Sequence, residues 1–306
     1  MKSMILSAYG SMPQLQEIEA PVPEDGEVLV RIVAASLNPL DVKLQRGLAH
    51  DYFPLNFPSA IGTDLSGVIE KTGSLTSRWR AGDKVIARLD PTRGGAFADF
   101  AIVPENQLVL IPERIAMETA AGIPTAAGTS WQALVEYAGV ISGQTVLIHA
   151  GAGGVGSFAI QFARGFGARV IATASGDGID VARRLGADLV IDYRHEDFAD
   201  KIADIDFVLD TIGGETQQES YKVLRRGGKI ASIVAPPDDT MAKAYSVDAG
   251  FIFHSSNGAR LSEAVKAIQS FDVAVLVDSV LPLSHFDQAF ARQASGRARG
   301  KIILTI

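Results

Sequence analysis

The sequence contains no cysteine among its 306 residues. That absence excludes disulfide bonds, thiol catalysis and zinc sites built on cysteine ligands. The five histidines are far apart and show none of the short spacings with which histidine pairs bind zinc. We therefore expect no metal site in this protein.

Long apolar runs and clustered positive charge are also missing. No segment approaches the roughly 18 consecutive apolar residues of a membrane span, and residues 1–30 lack an apolar block of signal-peptide length. The formal net charge is −7, and the 28 Lys and Arg residues are scattered along the chain. These features predict a cytoplasmic, globular protein that binds neither membranes nor nucleic acids.

The pattern of apolar runs and turn residues changes near residue 120. Before that point, short alternating apolar runs such as Glu27–Ser36 and Phe97–Pro112 lie between Gly and Pro residues, which predicts a β-rich, partly antiparallel domain. From about Pro124 to Ser256, short apolar strands alternate with helical stretches, which is the rhythm of βαβ units in a doubly wound parallel sheet. The fold class is therefore α/β. Periodicity alone does not place the tail, which reads as a helix and two strands.

A glycine-rich segment inside the second region predicts a dinucleotide site. Thr145–Ala150 reads as a buried strand, and Gly151, Gly153 and Gly156 then fit G-x-G-x-x-G at the start of a helix from Val155 to about Phe166. The first glycine permits a tight turn, the second lets backbone N–H groups reach a pyrophosphate, and the third allows close packing of helix and strand. The positive end of the helix favours the anion. The alternative is a turn that serves packing alone.

The end of the next strand bears on which nucleotide binds. An NAD site has an acidic residue about 20 residues beyond the glycines, where it binds the ribose hydroxyls. Ala174 and Ser175 stand there, and they accept a 2′-phosphate that a carboxylate would repel. Arg194 can supply positive charge and Tyr193 can pack on the adenine, which favours NADPH. NADH stays the alternative because Asp177 lies close by, and Arg194 can also be an ordinary surface arginine.

Longer segments match a known family. They include SLNPLDVKLQRG, IGTDLSGVI, GDKVIA, AAGIPTAAGTSWQAL, HAGAGGVGSFAIQFA, DTIGG and RARGKIILTI. With them the chain resembles the zinc-free medium-chain dehydrogenases/reductases, in the branch of quinone oxidoreductases related to zeta-crystallin. The resemblance implies a GroES-like β-rich catalytic domain of residues 1–122 and 259–306, and a Rossmann domain of residues 123–258 inserted into it. It also implies a cleft between the domains where nicotinamide meets substrate, and a homodimer.

The resemblance further implies where the cofactor binds. Asn38 and Thr125 would lie beside the nicotinamide, Ala152–Val155 would hold the pyrophosphate, and Gly213 would let the backbone pass over the cofactor. The predicted cofactor-binding residues are Asn38, Thr125, Gly151, Ala152, Gly153, Gly154, Val155, Gly156, Thr173, Ser175, Tyr193, Arg194 and Gly213. Asn38 can instead cap a turn, and Thr125 can instead cap a helix.

This sequence departs from the family pattern at two places. Some relatives have tyrosines in the substrate cleft where Lys43 and Ala49 stand here, and many NADPH-binding members have Lys or Arg where Gly176 and Asp177 stand. The first departure leaves the substrate open. The second weighs against NADPH.

Hydride transfer sets the remaining requirements of the site. The nicotinamide C4 must lie about 3–3.5 Å from the acceptor, and without a metal the developing oxyanion needs hydrogen bonds or a cation. Asn38 can donate through its amide, Lys43 can act as a cation or proton source, and Tyr52 and Phe53 can form apolar walls. A solvated lysine and ordinary aromatic packing are the alternatives. Asp41 and Asp64 are expected to be structural.

The expectation that no metal is bound indicates which class of hydride acceptor this protein reduces. Quinones and α,β-unsaturated carbonyl compounds delocalise the incoming charge, so a weak donor suffices, whereas simple ketone reduction usually requires a Lewis acid or strong acid. We predict a metal-free, NAD(P)H-dependent hydride-transfer reductase of such acceptors, with Asn38, Lys43 and Tyr52 as catalytic residues. The alternatives are a zinc-independent alcohol or aldehyde oxidoreductase, and a non-catalytic NADPH-binding protein of the crystallin kind.

Overall fold

The chain forms two compact units. The computed structural model describes residues 1–76 and 78–306. Unit 1 comprises Met1–Thr125, Ser255–Glu263 and Val277–Ile306, and unit 2 comprises Ala126–His254 and Ala264–Leu276. Unit 2 is therefore inserted into the sequence of unit 1. The domain boundaries predicted from the sequence stay a prediction.

The strands are between two and eleven residues long. In chain order, the strands are β1 (Lys2–Leu6), β2 (Gln14–Glu17), β3 (Glu27–Leu37), β4 (Ser59–Ala60), β5 (Asp64–Thr72), β6 (Lys84–Arg88), β7 (Phe100–Pro104), β8 (Val109–Leu110), β9 (Thr145–Ile148), β10 (Arg169–Ala174), β11 (Leu189–Asp192), β12 (Ile205–Asp210), β13 (Leu224–Ser232), β14 (Asp248–Phe251), β15 (Val277–Pro282) and β16 (Lys301–Thr305). The α-helices are α1 (Pro39–Gln45), α2 (Met117–Ala120), α3 (Pro124–Trp131), α4 (Gly154–Gly165), α5 (Gly178–Leu185), α6 (Gly214–Val223), α7 (Asp239–Tyr245), α8 (Gly258–Ser270) and α9 (Phe286–Ala294). A π-helical turn, Gln132–Ala138, continues α3, and Glu105–Gln107 and Leu283–His285 are 3₁₀ turns.

Unit 1 is built on a large sheet with the strand order β15-β16-β3-β5-β6-β8, and β7 also pairs with β3. The pairs are antiparallel except for β15 and β16, which are parallel. A smaller antiparallel sheet has the order β2-β1-β4. The predicted β-rich GroES-like domain is confirmed, and the tail extends its sheet through β16.

The antiparallel register of unit 1 brings polar residues together at one edge of the large sheet. Ser36 near the end of β3 lies opposite Asp64, the first residue of β5, and Asp64 lies opposite Arg88, the last residue of β6. Leu37, which ends β3, lies opposite the second residue of β16, directly after Lys301. Four strand ends of different sequence regions therefore meet at this edge.

Beneath this edge, the core of unit 1 is apolar and closely packed. Val30, Leu65 and Ile302, on three strands of the large sheet, are fully buried. The ring of Phe286 on α9 packs against Phe97, with 5.4 Å between ring centroids. Burial of such side chains fixes the strands that carry the polar edge.

Unit 2 is a doubly wound α/β unit. Its sheet has the order β11-β10-β9-β12-β13-β14, and all its strand pairs are parallel. Numbered along the chain within the unit, this order is 3-2-1-4-5-6, which defines the Rossmann fold. The predicted Rossmann domain is confirmed. The order reverses between β9 and β12, where such sheets bind ligands at the carboxyl ends of the strands.

In the described part of the chain, no helix has the length and apolar character that crossing a membrane requires.

Candidate active site

The glycine-rich segment lies at the strand-order reversal of unit 2. It follows β9 directly, and α4 begins at Gly154 with Gly153 as its N-cap. The first N–H groups of a helix have no acceptor within the helix, so this end is suited to an anionic ligand. The strand–loop–helix frame predicted for a dinucleotide site is therefore present.

Two of the three motif glycines are required by packing. A Cβ on Gly156 would overlap the carbonyl oxygen of Ala150, and a Cβ on Gly151 would lie 2.8 Å from the Cβ of Ala172. The left-handed conformation in this loop belongs to Ala150, with φ of 49°, so Gly151 serves packing rather than the turn. At Gly153 a Cβ would lie 3.1 Å from the carbonyl oxygen of Ala150, so this glycine has the most room.

A buried histidine anchors the start of this loop. His149 is fully buried, its Nδ1 lies 3.1 Å from Thr173 Oγ1, and its Nε2 lies 2.9 Å from Ser220 Oγ. The backbone N–H of Ala150 donates to the same Thr173 oxygen. Burial lowers the pKa of His149 to about 4, so the ring is neutral near pH 7. Thr173, predicted to bind cofactor, is 3% exposed, and its hydroxyl is engaged within the protein.

The residues predicted at the adenosine phosphate lie together. Ser175 follows β10 and Tyr193 follows the adjacent strand β11, and the Ser175 hydroxyl donates to the Tyr193 hydroxyl over 2.9 Å. Tyr193 is 56% exposed, and the next residue, Arg194, is also exposed. Gly176 has φ of 54°, a conformation that favours glycine over the Lys or Arg that the family resemblance would place there.

Gly213 lies at the end of the neighbouring strand β12. Its φ of 78° favours glycine, and it is the N-cap of α6. Its N–H and that of Ile212 donate to Oδ1 of the buried Asp210, 2.8 and 2.9 Å away. The Gln217 amide donates to the other oxygen of Asp210. Asp210 therefore fixes the loop that the family resemblance assigns to the cofactor.

At the polar edge of unit 1, Asp64 joins two of the predicted site residues. Thr125 donates to Asp64 twice, from its hydroxyl over 2.6 Å and from its backbone N–H over 3.2 Å. The Asn38 amide donates over 3.0 Å to Asp64 Oδ2, the oxygen that also accepts the Thr125 N–H, and over 3.4 Å to Thr63 Oγ1. Asn38 is 3% exposed, so both of its amide hydrogens are engaged inside unit 1. This geometry weighs against Asn38 as the oxyanion donor.

Lys301 holds the other side of Asn38. Its ammonium donates to Asn38 Oδ1 over 2.5 Å and to the Leu37 carbonyl over 3.0 Å, and it lies 3.7 Å from Asp64 Oδ2. Lys301 is 4% exposed, and burial lowers its pKa while Asp64 opposes that effect. The charge of a buried lysine requires such partners.

Asp41 completes this cluster from α1. It accepts the backbone N–H of Asn38 on one oxygen over 2.7 Å. Its second oxygen, Oδ1, is buried and has no hydrogen-bond partner in the described structure. Burial raises the pKa of Asp41 to about 7, the Asn38 N–H opposes the shift, and Asp64 adds to it.

The other two predicted catalytic residues do not join this cluster. Lys43 is half-buried on α1, and it forms no hydrogen bond to the cluster within the described structure. Tyr52 is 60% exposed in the loop after α1, and Phe53 packs against the core of unit 1. Their roles toward the substrate stay predictions.

Sequence reasoning missed Arg88 and Lys301 as members of the cluster. Arg88 donates from Nε to Thr125 Oγ1 over 3.1 Å and from Nη1 to Ser256 Oγ over 2.9 Å. Both side chains are almost fully buried. In the sequence, Arg88 is the charged last residue of the strand KVIAR, and Lys301 is the charged first residue of the strand KIILT. A strand-by-strand pattern does not reveal that these ends meet.

Across residues 1–76 and 78–306, no group of three or more His, Cys, Asp or Glu side chains is arranged to hold a metal ion.

Two family descriptions match the chain. Residues 24–113 match "Alcohol dehydrogenase GroES-like domain", and residues 185–304 match "Zinc-binding dehydrogenase". The second description names zinc, although this sequence has no cysteine to ligate it.

Curated relatives and solved structures are similar over almost the whole chain. The quinone-oxidoreductase homolog of Spinacia oleracea chloroplasts is 32% identical, covering 94% of this chain and 92% of the relative. The NADPH-dependent alkenal/one oxidoreductase of Arabidopsis thaliana chloroplasts is 36% identical, covering 99% of this chain and 79% of the relative. The structure of the quinone oxidoreductase from Coxiella burnetii has a TM-score of 0.92 at 30% identity, covering 100% of this chain and 99% of that chain.

The raised pKa of Asp41 predicts a pH-dependent stability. Between about pH 4 and pH 7 the folded protein retains a proton on Asp41 that the unfolded chain releases. The contribution of Asp41 to the free energy of unfolding therefore falls as the pH rises through this window, against the rise that the lowered pKa of His149 contributes between about pH 4 and 6.5. Each pKa unit corresponds to about 1.4 kcal/mol. Asp41→Asn stays neutral and should lose most of this fall in urea unfolding at pH 4.5, 6 and 7.5. Asp51→Asn, at an exposed loop position, should keep the wild-type slope. Parallel slopes for wild type and Asp41→Asn would contradict the assignment.

Proposed function

This chain belongs to the quinone oxidoreductase branch of the medium-chain dehydrogenase/reductase superfamily, and from that membership we propose that it reduces quinones or α,β-unsaturated carbonyl compounds with NADPH. The observation that carries the proposal is the glycine-rich loop at the strand-order reversal of a Rossmann sheet. The similarity to a quinone oxidoreductase and to an NADPH-dependent alkenal/one oxidoreductase supports the same reaction class.

The residues of unit 2 fit a dinucleotide. A Cβ at Gly153 would lie 3.1 Å from the Ala150 carbonyl oxygen. Gly153, the N-cap of α4, and Gly154 and Val155, its first two residues, are half-exposed after the carboxyl end of β9. We propose that their backbone N–H groups bind the pyrophosphate, together with Ala152. Gly213, held by Asp210, would lie beside the cofactor. When bound, the dinucleotide supplies the hydride.

The hydroxyl pair of Ser175 and Tyr193 supports NADPH over NADH. Both hydroxyls lie at an exposed edge, and no acidic residue occupies the strand end that binds the ribose in NAD sites. We propose that these two hydroxyls and Arg194 bind the 2′-phosphate. Asp177 caps α5 nearby, and its negative charge would reduce the preference.

Thr125 is suited to the nicotinamide carboxamide. Its hydroxyl hydrogen is given to Asp64, and one lone pair of its oxygen accepts from Arg88. The remaining lone pair can only accept, so Thr125 would bind the N–H side of a carboxamide rather than its carbonyl. Asn38, held by Asp64 and Lys301, would then serve as a positioning residue beside it.

The homodimer and the cytoplasmic location stay predictions. We propose that the dimer forms at β14, the edge strand of the unit 2 sheet, because an edge strand presents unpaired backbone groups that a second copy can pair.

The reaction is tested with purified protein and an acceptor panel. With NADPH we expect turnover of 1,4-benzoquinone and 3-buten-2-one, much slower reduction of the saturated 2-butanone, and lower kcat/KM when NADH replaces NADPH. Cofactor oxidation at 340 nm is the readout. Efficient 2-butanone reduction would indicate an alcohol or aldehyde oxidoreductase instead. Tight NADPH binding without turnover of any acceptor would indicate a non-catalytic NADPH-binding protein.

The phosphate site is tested by Arg194→Ala. A charge-assisted hydrogen bond to the 2′-phosphate corresponds to about tenfold or more in affinity, so the variant should bind NADPH at least several-fold more weakly and NADH almost unchanged. Fluorescence titration gives both affinities. Arg183→Ala, which removes an exposed arginine from α5, is the matched control and should change neither. Equal losses for both cofactors would mean that Arg194 supports the fold and not the phosphate.

A further inference from the structure

A buried arginine in unit 1 has neutral partners. Arg88 is 4% exposed, and its guanidinium donates to the hydroxyls of Thr125 and Ser256. Those hydroxyls give their own hydrogens to Asp64 and to the Leu89 carbonyl, so both face Arg88 as acceptors. Across the described residues, no carboxylate lies within 4.0 Å of the Arg88 guanidinium.

The nearest acidic groups, Asp64 and Asp41, have hydrogen-bond and ion-pair partners other than Arg88. Asp64 stands opposite Arg88 on the adjacent strand, but its two oxygens accept from Thr125 and Asn38, and its ion pair is with Lys301. Asp41 accepts only the Asn38 N–H and is half protonated near pH 7 because of its burial. The ion pair of this cluster therefore joins Lys301 to Asp64, and Arg88 is left with hydrogen bonds to hydroxyl groups.

Charged groups beyond hydrogen-bond distance also act on Arg88. Burial lowers the pKa of Arg88, the carboxylates of Asp64, Asp41 and Asp90 oppose that effect, and Arg260 adds to it. Arginine nevertheless stays protonated in proteins. A buried cation without a carboxylate partner costs free energy, and such groups are retained where they meet an anion.

Arg88 also has donors to spare. A guanidinium has five N–H groups, and two of the nitrogens, Nε and Nη1, make the hydrogen bonds to hydroxyls. Its fork of donors matches an oxygen that carries negative charge. It is held beside Thr125, the residue proposed above to meet the nicotinamide.

We propose that Arg88 binds the carbonyl oxygen of the acceptor as that oxygen becomes an oxyanion, and that it is the catalytic cation of this protein in place of Lys43. This inference rests on the proposed function. During reduction the acceptor gains a hydride, its π electrons move onto the carbonyl oxygen, the dihydronicotinamide is oxidised, and a solvent proton then neutralises the oxyanion. Arg88 stabilises the charge at the stage before that proton arrives.

Steady-state kinetics with 1,4-benzoquinone and 3-buten-2-one provide the first test. Loss of a preorganised oxyanion donor lowers kcat by about 10²- to 10³-fold, so Arg88→Met should lose activity on that scale and Arg88→Lys should retain part of it. The NADPH affinity should change less than about twofold, because Arg88 does not bind the phosphates. Arg31→Met, which removes a half-exposed arginine from β3 in the same unit, should retain at least about half of the wild-type kcat.

A binding measurement without cofactor separates charge recognition from turnover. The probes are 4-nitrophenolate, which mimics the oxyanion, and 4-nitroanisole, a neutral compound of similar shape. By calorimetry, Arg88→Met should bind 4-nitrophenolate about tenfold or more weakly and 4-nitroanisole nearly as wild type does. The matched control is Arg292→Met, which removes an arginine that pairs with Asp278 in the same unit, and it should keep wild-type phenolate binding.

The outcomes are distinct. Unchanged kcat in Arg88→Met, or equal losses for both probes, would overturn the inference. A parallel loss of NADPH affinity and thermal stability in both Arg88 variants would mean that Arg88 only holds Thr125 and Ser256 in place, which also overturns it. Arg88-dependent phenolate binding in a protein that reduces no acceptor would support the anion site while the proposed function fails.

Discussion

The buried carboxylate of Asp64 is the interaction on which the polar edge of unit 1 depends. It accepts from the Thr125 hydroxyl and backbone and from the Asn38 amide, and Lys301 lies within ion-pair distance. Each of these partners comes from a different region of the sequence. Because a charged acceptor forms strong hydrogen bonds in a low dielectric, one side chain sets the donor and acceptor roles of its neighbours. Thr125 becomes an acceptor, and Asn38 is left without a free amide hydrogen.

Such a cluster is costly to break. Removing one member of a buried ion pair leaves the other charge uncompensated, which destabilises proteins by about 3–5 kcal/mol. Substitutions of Asp64 or Lys301 therefore affect folding together with any activity. Substitution of Arg88 assigns roles in this cluster more clearly, because its partners are neutral hydroxyl groups that do not need its charge. The measurements should determine ligand affinity and kcat separately.

The sequence predicts unit 2 better than the site in unit 1. The glycine-rich loop and the alternation of strands and helices are local patterns, and the parallel sheet with its reversal point follows from them. Ser175 and Tyr193 were predictable as a pair because they end strands that neighbour one another in any Rossmann sheet. Thr173 was predicted at the cofactor, but its burial against His149 depends on tertiary packing that its position in the strand does not reveal.

The polar edge of unit 1 depends on register between distant strands. The sequence predicts a structural role for Asp64, and it does not single out Arg88 or Lys301. Only the antiparallel pairing of β3, β5, β6 and β16 brings them together. The same pairing places Thr63 and Asp64 where they accept both amide hydrogens of Asn38. The sequence around Asn38 does not indicate these acceptors.

A crystal structure of this chain with bound NADPH is the most direct test of the central claim that we propose, that the glycine-rich loop and the hydroxyl pair of Ser175 and Tyr193 bind NADPH. We predict that the 2′-phosphate lies within hydrogen-bond distance of the Ser175 and Tyr193 hydroxyls. A complex in which the phosphate contacts neither hydroxyl would contradict that claim.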